Sequence, residues 1–151
     1  LVAVLFRNNV LDMSFDERQQ RPRGQAYKCG FITMAVSLAL YGVSNLLLGT
    51  WCDALAGAVL CLCTGGAVFA SVCIRKGAYL SLKENPRKVL PVLIAGTALN
   101  LICGIESMMG GGLVEHGILT FRSVNLLLGI MCLAVLLVYL ATPPSQEEDE
   151  A

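Results

Sequence analysis

The chain reads as an all-α integral membrane protein, a four-helix bundle built from two antiparallel transmembrane hairpins. Three observations predict this. Residues 29–50, 54–74, 89–105 and 124–141 are apolar blocks free of charged side chains. A helical run of about 17–25 apolar residues is what crosses the hydrocarbon core of a bilayer. Across the chain 56% of residues are hydrophobic and 15% charged, with a mean hydropathy of +0.68, which argues against an ordinary soluble domain. Finally, the polar residues gather between the blocks, and the four blocks use more than half of the 151 residues. That leaves one membrane domain, 29–141, with an N-terminal tail, 1–28, and an acidic C-terminal tail, 142–151.

The tail opens with an apolar stretch, 1–6, that stops at Arg7 and is too short to span. In a secretory signal the basic residues come first, and here Arg7-Asn8-Asn9 follows instead. Translation is expected to begin at Met13, so residues 1–12 are read as a non-native extension. Asp16 to Gln20 suits a helical turn, and Pro22 predicts a break before the first span starts near Tyr27.

Between the first two blocks only Gly49-Thr50-Trp51-Cys52-Asp53 is available, which forces a helical hairpin. Asp53 is placed to cap the second helix through its carboxylate, and Trp51 suits the headgroup level. The next connection is longer. In it Tyr79, Leu80 and Leu82 alternate with Lys83 and Glu84, which suits a segment lying along a membrane surface, and Asn85-Pro86 ends it. Pro86 fits a first helical turn, and Pro91 falls early enough in the third block to forfeit few hydrogen bonds. Met108-Met109-Gly110-Gly111-Gly112 predicts a flexible third connection. Thr142-Pro143-Pro144 stops the fourth helix before a disordered tail.

Charge orients the spans. Arg18, Arg21, Arg23 and Lys28 precede the first block, while Arg75, Lys76, Lys83, Arg87 and Lys88 form an inner basic loop between the second and third. The first connection has no Lys or Arg, and the third has Arg122 against Glu106 and Glu115. By the positive-inside pattern both termini are cytoplasmic, and the acidic tail counts for little in that rule.

Lipid provides no hydrophobic drive for helices to associate, so close approach at small residues must hold them together. Gly57, Cys61 and Gly65 recur four apart in the second block, Gly96 and Gly104 flank Asn100 in the third, and Gly129 follows Asn125 in the fourth. These mark the expected packing faces. With this orientation Asn45, Asn100 and Asn125 fall in the outer halves of their spans, near Glu106, His116 and Asp53. They form a candidate polar cluster, either a binding site open to the outside or a set of interhelical amide bonds.

Other chemistry finds little support. His116 beside Glu115 falls short of a metal site, which needs three or four converging ligands. Among seven cysteines there is no Cys-x-x-Cys pair. Cys61 and Cys63 point about 200° apart on a helix, and only Cys52 and Cys103, both near the outer face, could pair in an oxidising compartment. No serine–histidine, metal or phosphate-binding constellation is present, so no enzyme, cofactor or metal is expected. The inner basic loop is accounted for by topology, with anionic lipid or a cytoplasmic partner as the alternative.

Asp16-Glu17-Arg18-Gln19, followed by Gly24-Gln25-Ala26-Tyr27 and the first span, resembles a family of unknown function, the small bacterial four-span membrane proteins with a D-E-R-Q-type N-terminal segment. Cys73-Ile74-Arg75-Lys76-Gly77-Ala78-Tyr79 and Lys83-Glu84-Asn85-Pro86 look like that group's inner loop, and the likeness ends at Val89. It implies a multi-pass protein of the bacterial plasma membrane, in a group whose genes often neighbour those of DNA-binding regulators. The expected function is a non-enzymatic accessory or sensory protein acting through a membrane or cytoplasmic partner or a homo-oligomer, with no nucleic acid bound. The alternative is a small transporter or channel, dimeric in one version, with a pathway lined by the membrane asparagines.

Overall fold

The computed structural model describes residues 17–79 and 86–142. They form helices α1 (Glu17–Leu48), α2 (Ala54–Arg75), α3 (Pro86–Met109) and α4 (Ser123–Ala141), with a small sheet of β1 (Val114–Glu115) and β2 (Ile118–Leu119) before α4. Four segments are long and apolar enough to cross a membrane: Gln20–Leu48, Ala54–Arg75, Val89–Met109 and Ser123–Ala141. Residues 1–12, the segment around Leu80, Leu82 and Lys83 expected to lie along a membrane surface, and the tail beyond Thr142 lie outside the described residues.

The break expected at Pro22 does not occur: α1 runs through it without interruption. A proline inside a helix removes one backbone donor. Here that donor would have served the helix's first turn, and the residues beyond Pro22 are held by packing on α2. Tyr27 stacks on Phe69 with ring centroids 4.6 Å apart, and Arg23 lies 5.9 Å over the Tyr27 ring.

Helix ends are closed by specific contacts. Asp53 caps α2 through its carboxylate, which accepts from the Leu55 N–H at 2.9 Å and the Ala56 N–H at 3.3 Å. The glycine run after α3, expected to be flexible, instead forms a hydrogen-bonded stop. The Gly112 N–H donates to Ser107 O and the Gly111 N–H to Met108 O, both at 3.1 Å. This paired pattern needs a left-handed residue in its middle, and Gly111 supplies it with φ 69°. The end of α2 repeats the arrangement: the Ala78 N–H donates to Cys73 O and the Gly77 N–H to Ile74 O.

The close pairs are α1 with α2, α2 with α4, and α4 with α3. They set the helices in the order α1, α2, α4, α3, a row in which α1 and α3 are outermost and form no close pair with each other. Along α1 and α2 the contacts run Tyr27 with Phe69, Gly30 with Gly65 and Tyr41 with Gly57, so residue numbers rise on one helix as they fall on the other. The same holds for α3 and α4, where Leu101 meets Gly129 and Gly104 meets Leu126. Between α2 and α4 the order is shared, with Ala56 clustered on Val124 and the Thr64 hydroxyl 3.9 Å from Met131 Sδ.

Five glycines make these approaches, among them Gly30, where a Cβ would fall 2.9 Å from Gly65 O. A Cβ at Gly57 would fall 2.2 Å from Tyr41 Cζ, at Gly65 2.7 Å from Met34 Cβ, at Gly104 2.5 Å from Leu126 Cα and at Gly129 2.8 Å from Leu101 Cδ2. Cys61, between the two glycines of α2, is buried. Gly96 is different, since a Cβ there would meet nothing within 4 Å. Three span hydroxyls are satisfied within their own helices: Thr64 donates to Leu60 O, Ser71 to Ala67 O and Thr97 to Leu93 O, each at 2.7 Å.

Gly104→Leu drives a side chain into the α4 backbone and is expected to destabilise the protein by about 1–3 kcal/mol. Gly96→Ala meets open space and should leave stability unchanged or raise it by up to about 1 kcal/mol. Unfolding of the two variants in detergent, followed by circular dichroism, checks the contrast.

Candidate functional site

The polar groups concentrate at the end of the row where α1 ends and α2 begins, and a small cap organises them. Its framework is the β1–β2 hairpin, with Val114 opposite Leu119 and Glu115 opposite Ile118. The two residues between, His116 and Gly117, both have positive φ, 53° and 81°. A two-residue turn with this backbone matches the natural twist of the strands it joins.

The free edge of β2 is occupied by the first connection. The Leu119 N–H donates to Trp51 O and the Asp53 N–H donates to Leu119 O, both at 2.8 Å, with Cys52 bridged parallel to Leu119. Thr120 fastens the other side, its N–H donating to Leu113 O at 3.0 Å and its hydroxyl to Gly112 O. The loop after α1 and the loop after α3 are therefore one hydrogen-bonded unit.

Tyr41 supports the unit from below. Its hydroxyl donates to Cys52 O and Asp53 O, each at 3.3 Å, while its ring fills the space left by Gly57 and meets Trp51 edge-on, centroids 5.9 Å apart. The Trp51 indole N–H donates to Ser44 Oγ at 2.8 Å. Cys52, fully buried, packs with Ala56 and Val124, flanked by Tyr41, Val59 and Leu119. Burial, and then the neighbouring Asp53 carboxylate, push the Cys52 thiol above its ordinary range.

The asparagines occupy three different settings. Asn45, half-buried on α1 one turn beyond Tyr41, has a buried Oδ1 that receives no hydrogen bond among the described residues. Asn100, half-buried on α3, donates from Nδ2 to Gly96 O of its own helix at 2.8 Å. Asn125, in the first turn of α4, is exposed, as is Glu106 near the end of α3. No hydrogen bond joins any of these four among the described residues. Asn45 and Asn100 sit on the two outermost helices of the row. Asp53 and His116 are exposed in the cap.

All seven cysteines carry free thiols, with Cys52 buried and Cys103 half-buried. No group of three or more metal-ligating side chains converges among the described residues. At the opposite end, Arg75 and Lys76 are exposed at the end of α2, and Lys76 Nζ donates to Gln25 Oε1. Lys83 lies outside the described residues, as do the side chains of Arg87 and Lys88 at the start of α3.

The cap was not anticipated from the sequence. Its signal is Val114-Glu115-His116-Gly117-Ile118-Leu119, β-branched and aliphatic residues on either side of a two-residue turn ending in glycine. Six residues between longer apolar blocks give that signal little weight beside the helical ones. No protein family, curated protein or solved structure matches the chain.

Leu119→Pro removes the donor to Trp51 O and is expected to open the cap. Cys52 should then react with a water-soluble maleimide at least about tenfold faster, as expected when local protection is lost. In the intact protein the raised thiol range keeps that reaction slow even where an ordinary thiol, of pKa about 8.5, is half ionised. Peptide mass mapping of the modified cysteines measures both.

Asn45→Leu removes a buried acceptor that has no donor and should raise stability by about 1–3 kcal/mol. A loss of stability would mean that Oδ1 has a partner, and thermal unfolding beside Asn100→Leu decides it.

Proposed function

We propose that the chain is a non-enzymatic, multi-pass protein of the bacterial plasma membrane, of accessory or sensory type, which acts through partner proteins. Its helices would form two antiparallel transmembrane hairpins, α1 with α2 and α3 with α4, with both termini cytoplasmic. One observation carries this reading: long apolar flanks separate two polar ends of opposite character. On the flanks Phe31, Leu40, Leu62, Val92, Leu99 and Leu140 are all more than half exposed, from 59% to 69%. A large contiguous apolar surface of this kind needs lipid or protein to cover it.

Of the described cations, Arg21, Arg23, Lys28, Arg75 and Lys76 lie at one end; Arg122 lies at the other with the carboxylates Asp53, Glu106 and Glu115. Positive charge is retained on the cytoplasmic side, which supports the orientation. The D-E-R-Q-type opening and the inner-loop motifs support a place among the small bacterial four-span proteins.

Action through a partner is supported by α1. Its 32 residues extend to about 48 Å at 1.5 Å per residue, beyond the roughly 30 Å of hydrocarbon. The excess is a basic helical stem at the inner end, tied to α2 by Lys76 and Gln25. Transport is the second reading, favoured by one observation, the orphaned Asn45 Oδ1 within a span. It receives less support because Asn100 is bonded to its own helix and Asn125 is exposed.

Two measurements test the proposal. Alkaline phosphatase inserted after His116 should be active and the same enzyme fused after Tyr79 inactive; the reverse pattern overturns the orientation. A photo-crosslinker at Arg21 in native membranes should capture a discrete protein. If none is captured, and the Asn45→Leu protein folds yet abolishes a measurable flux, transport replaces the accessory reading.

A further inference from the structure

At the end of the row opposite the cap, the C-terminal ends of α2 and α4 border an open recess of about 510 Å³ lined by Arg75, Leu137, Val138, Ala141 and Thr142. Its lining divides into two chemistries. Leu137, Val138 and Ala141 make an apolar wall along the last turn of α4, and Leu137 is 57% exposed. Arg75, the last residue of α2, is the cation. Thr142 offers no free donor, since its hydroxyl donates to Val138 O at 2.8 Å and its N–H goes to the same carbonyl.

The cations at this end differ in their commitments. Lys76 donates to Gln25, and Arg23 lies over the Tyr27 and Phe69 rings. Arg75 has no hydrogen bond, ion pair or ring contact among the described residues, and the described carboxylates Asp53, Glu106 and Glu115 are all at the far end. A guanidinium presents a planar fork of donors that matches phosphate oxygens. Among the described side chains no carboxylate compensates that fork, which stands beside an aliphatic surface at the end of two apolar helices.

We propose that this recess binds one anionic phospholipid, with Arg75 on the phosphate and an acyl chain along Leu137, Val138 and Ala141. The inference rests on the membrane placement proposed above. Each half of the lining selects for part of this ligand. A free phosphate would leave the aliphatic wall wet. A zwitterionic lipid would bring its own ammonium toward Arg75, at an end of the molecule that also carries Arg21 and Lys28. A lipid of net negative charge satisfies both halves, and basic pockets between helices on the cytoplasmic side are suited to such headgroups.

The test uses the full chain in nanodiscs, with retained lipid read by native mass spectrometry. Phosphatidylglycerol should be retained over phosphatidylcholine by about fivefold, the scale of one basic side chain at an anionic surface. Arg75→Gln should abolish that preference, and Arg75→Lys should keep most of it. Val138→Trp should weaken retention with every charge in place.

Equal retention of the two lipids by the wild-type chain overturns the proposal, as does an Arg75→Gln protein, native by circular dichroism, that keeps the preference. Competition by free glycerol 3-phosphate would make this an anion site rather than a lipid site. A gain in retention on deleting residues 143–151 would identify the chain's own acidic tail as the occupant. Failure to enter the discs at all would overturn the membrane placement together with the lipid site.

Discussion

Close approach of the helices at five glycines is the constraint on which the rest of the structure depends. Gly30, Gly57, Gly65, Gly104 and Gly129 each stand where a single added carbon would collide with the neighbouring helix, at Gly57 with the Tyr41 ring. They bring α1 onto α2 and α3 onto α4 within reach of dispersion forces, which fade over a gap of half an ångström to one ångström. Where the surroundings are as apolar as the side chains, that contact is the principal source of attraction between helices. The positions of Tyr41 against the cap and of Leu101 against α4 follow from it.

Much of this was legible in the sequence, because the signals were long. Uninterrupted apolar blocks give four helices whatever the details of their ends. The ends were less legible. Pro22 signals a stop on local grounds, yet it stands near the start of a helix whose later residues are anchored by Phe69 and Gly65, and the tertiary contacts prevail. The glycines at 110–112 look like freedom. They serve instead to complete the hydrogen bonding of the last turn of α3.

The candidate site was less legible still. Placing Asn45, Asn100 and Asn125 at one depth requires only residue counting, but whether they meet depends on the lateral order of the helices, which hydropathy does not encode. With the order α1, α2, α4, α3, two of the three sit on opposite flanks. The polar organisation at that end comes from the backbone of residues 51–53 against Leu119, and backbone pairing between distant loops leaves almost no trace in composition. Tyr41 is the side chain that joins both levels: its ring fills the space above Gly57, and its hydroxyl holds the loop that the hairpin covers.

The shared direction of α2 and α4 has a consequence for how the molecule is assembled. Contacts within each helix pair link residues close in the chain, so each pair is complete soon after its second helix has been synthesised. The α2–α4 seam joins partners 67 residues apart at Thr64 and Met131, and the cap spans a similar interval. The cap cannot exist until Leu119 has been made, nor the seam until Met131 has. The first helix pair must therefore persist alone while the second is produced, holding the flank of α2 open for a partner that arrives last, with the Leu119 bonds closing over Cys52 as the two halves dock.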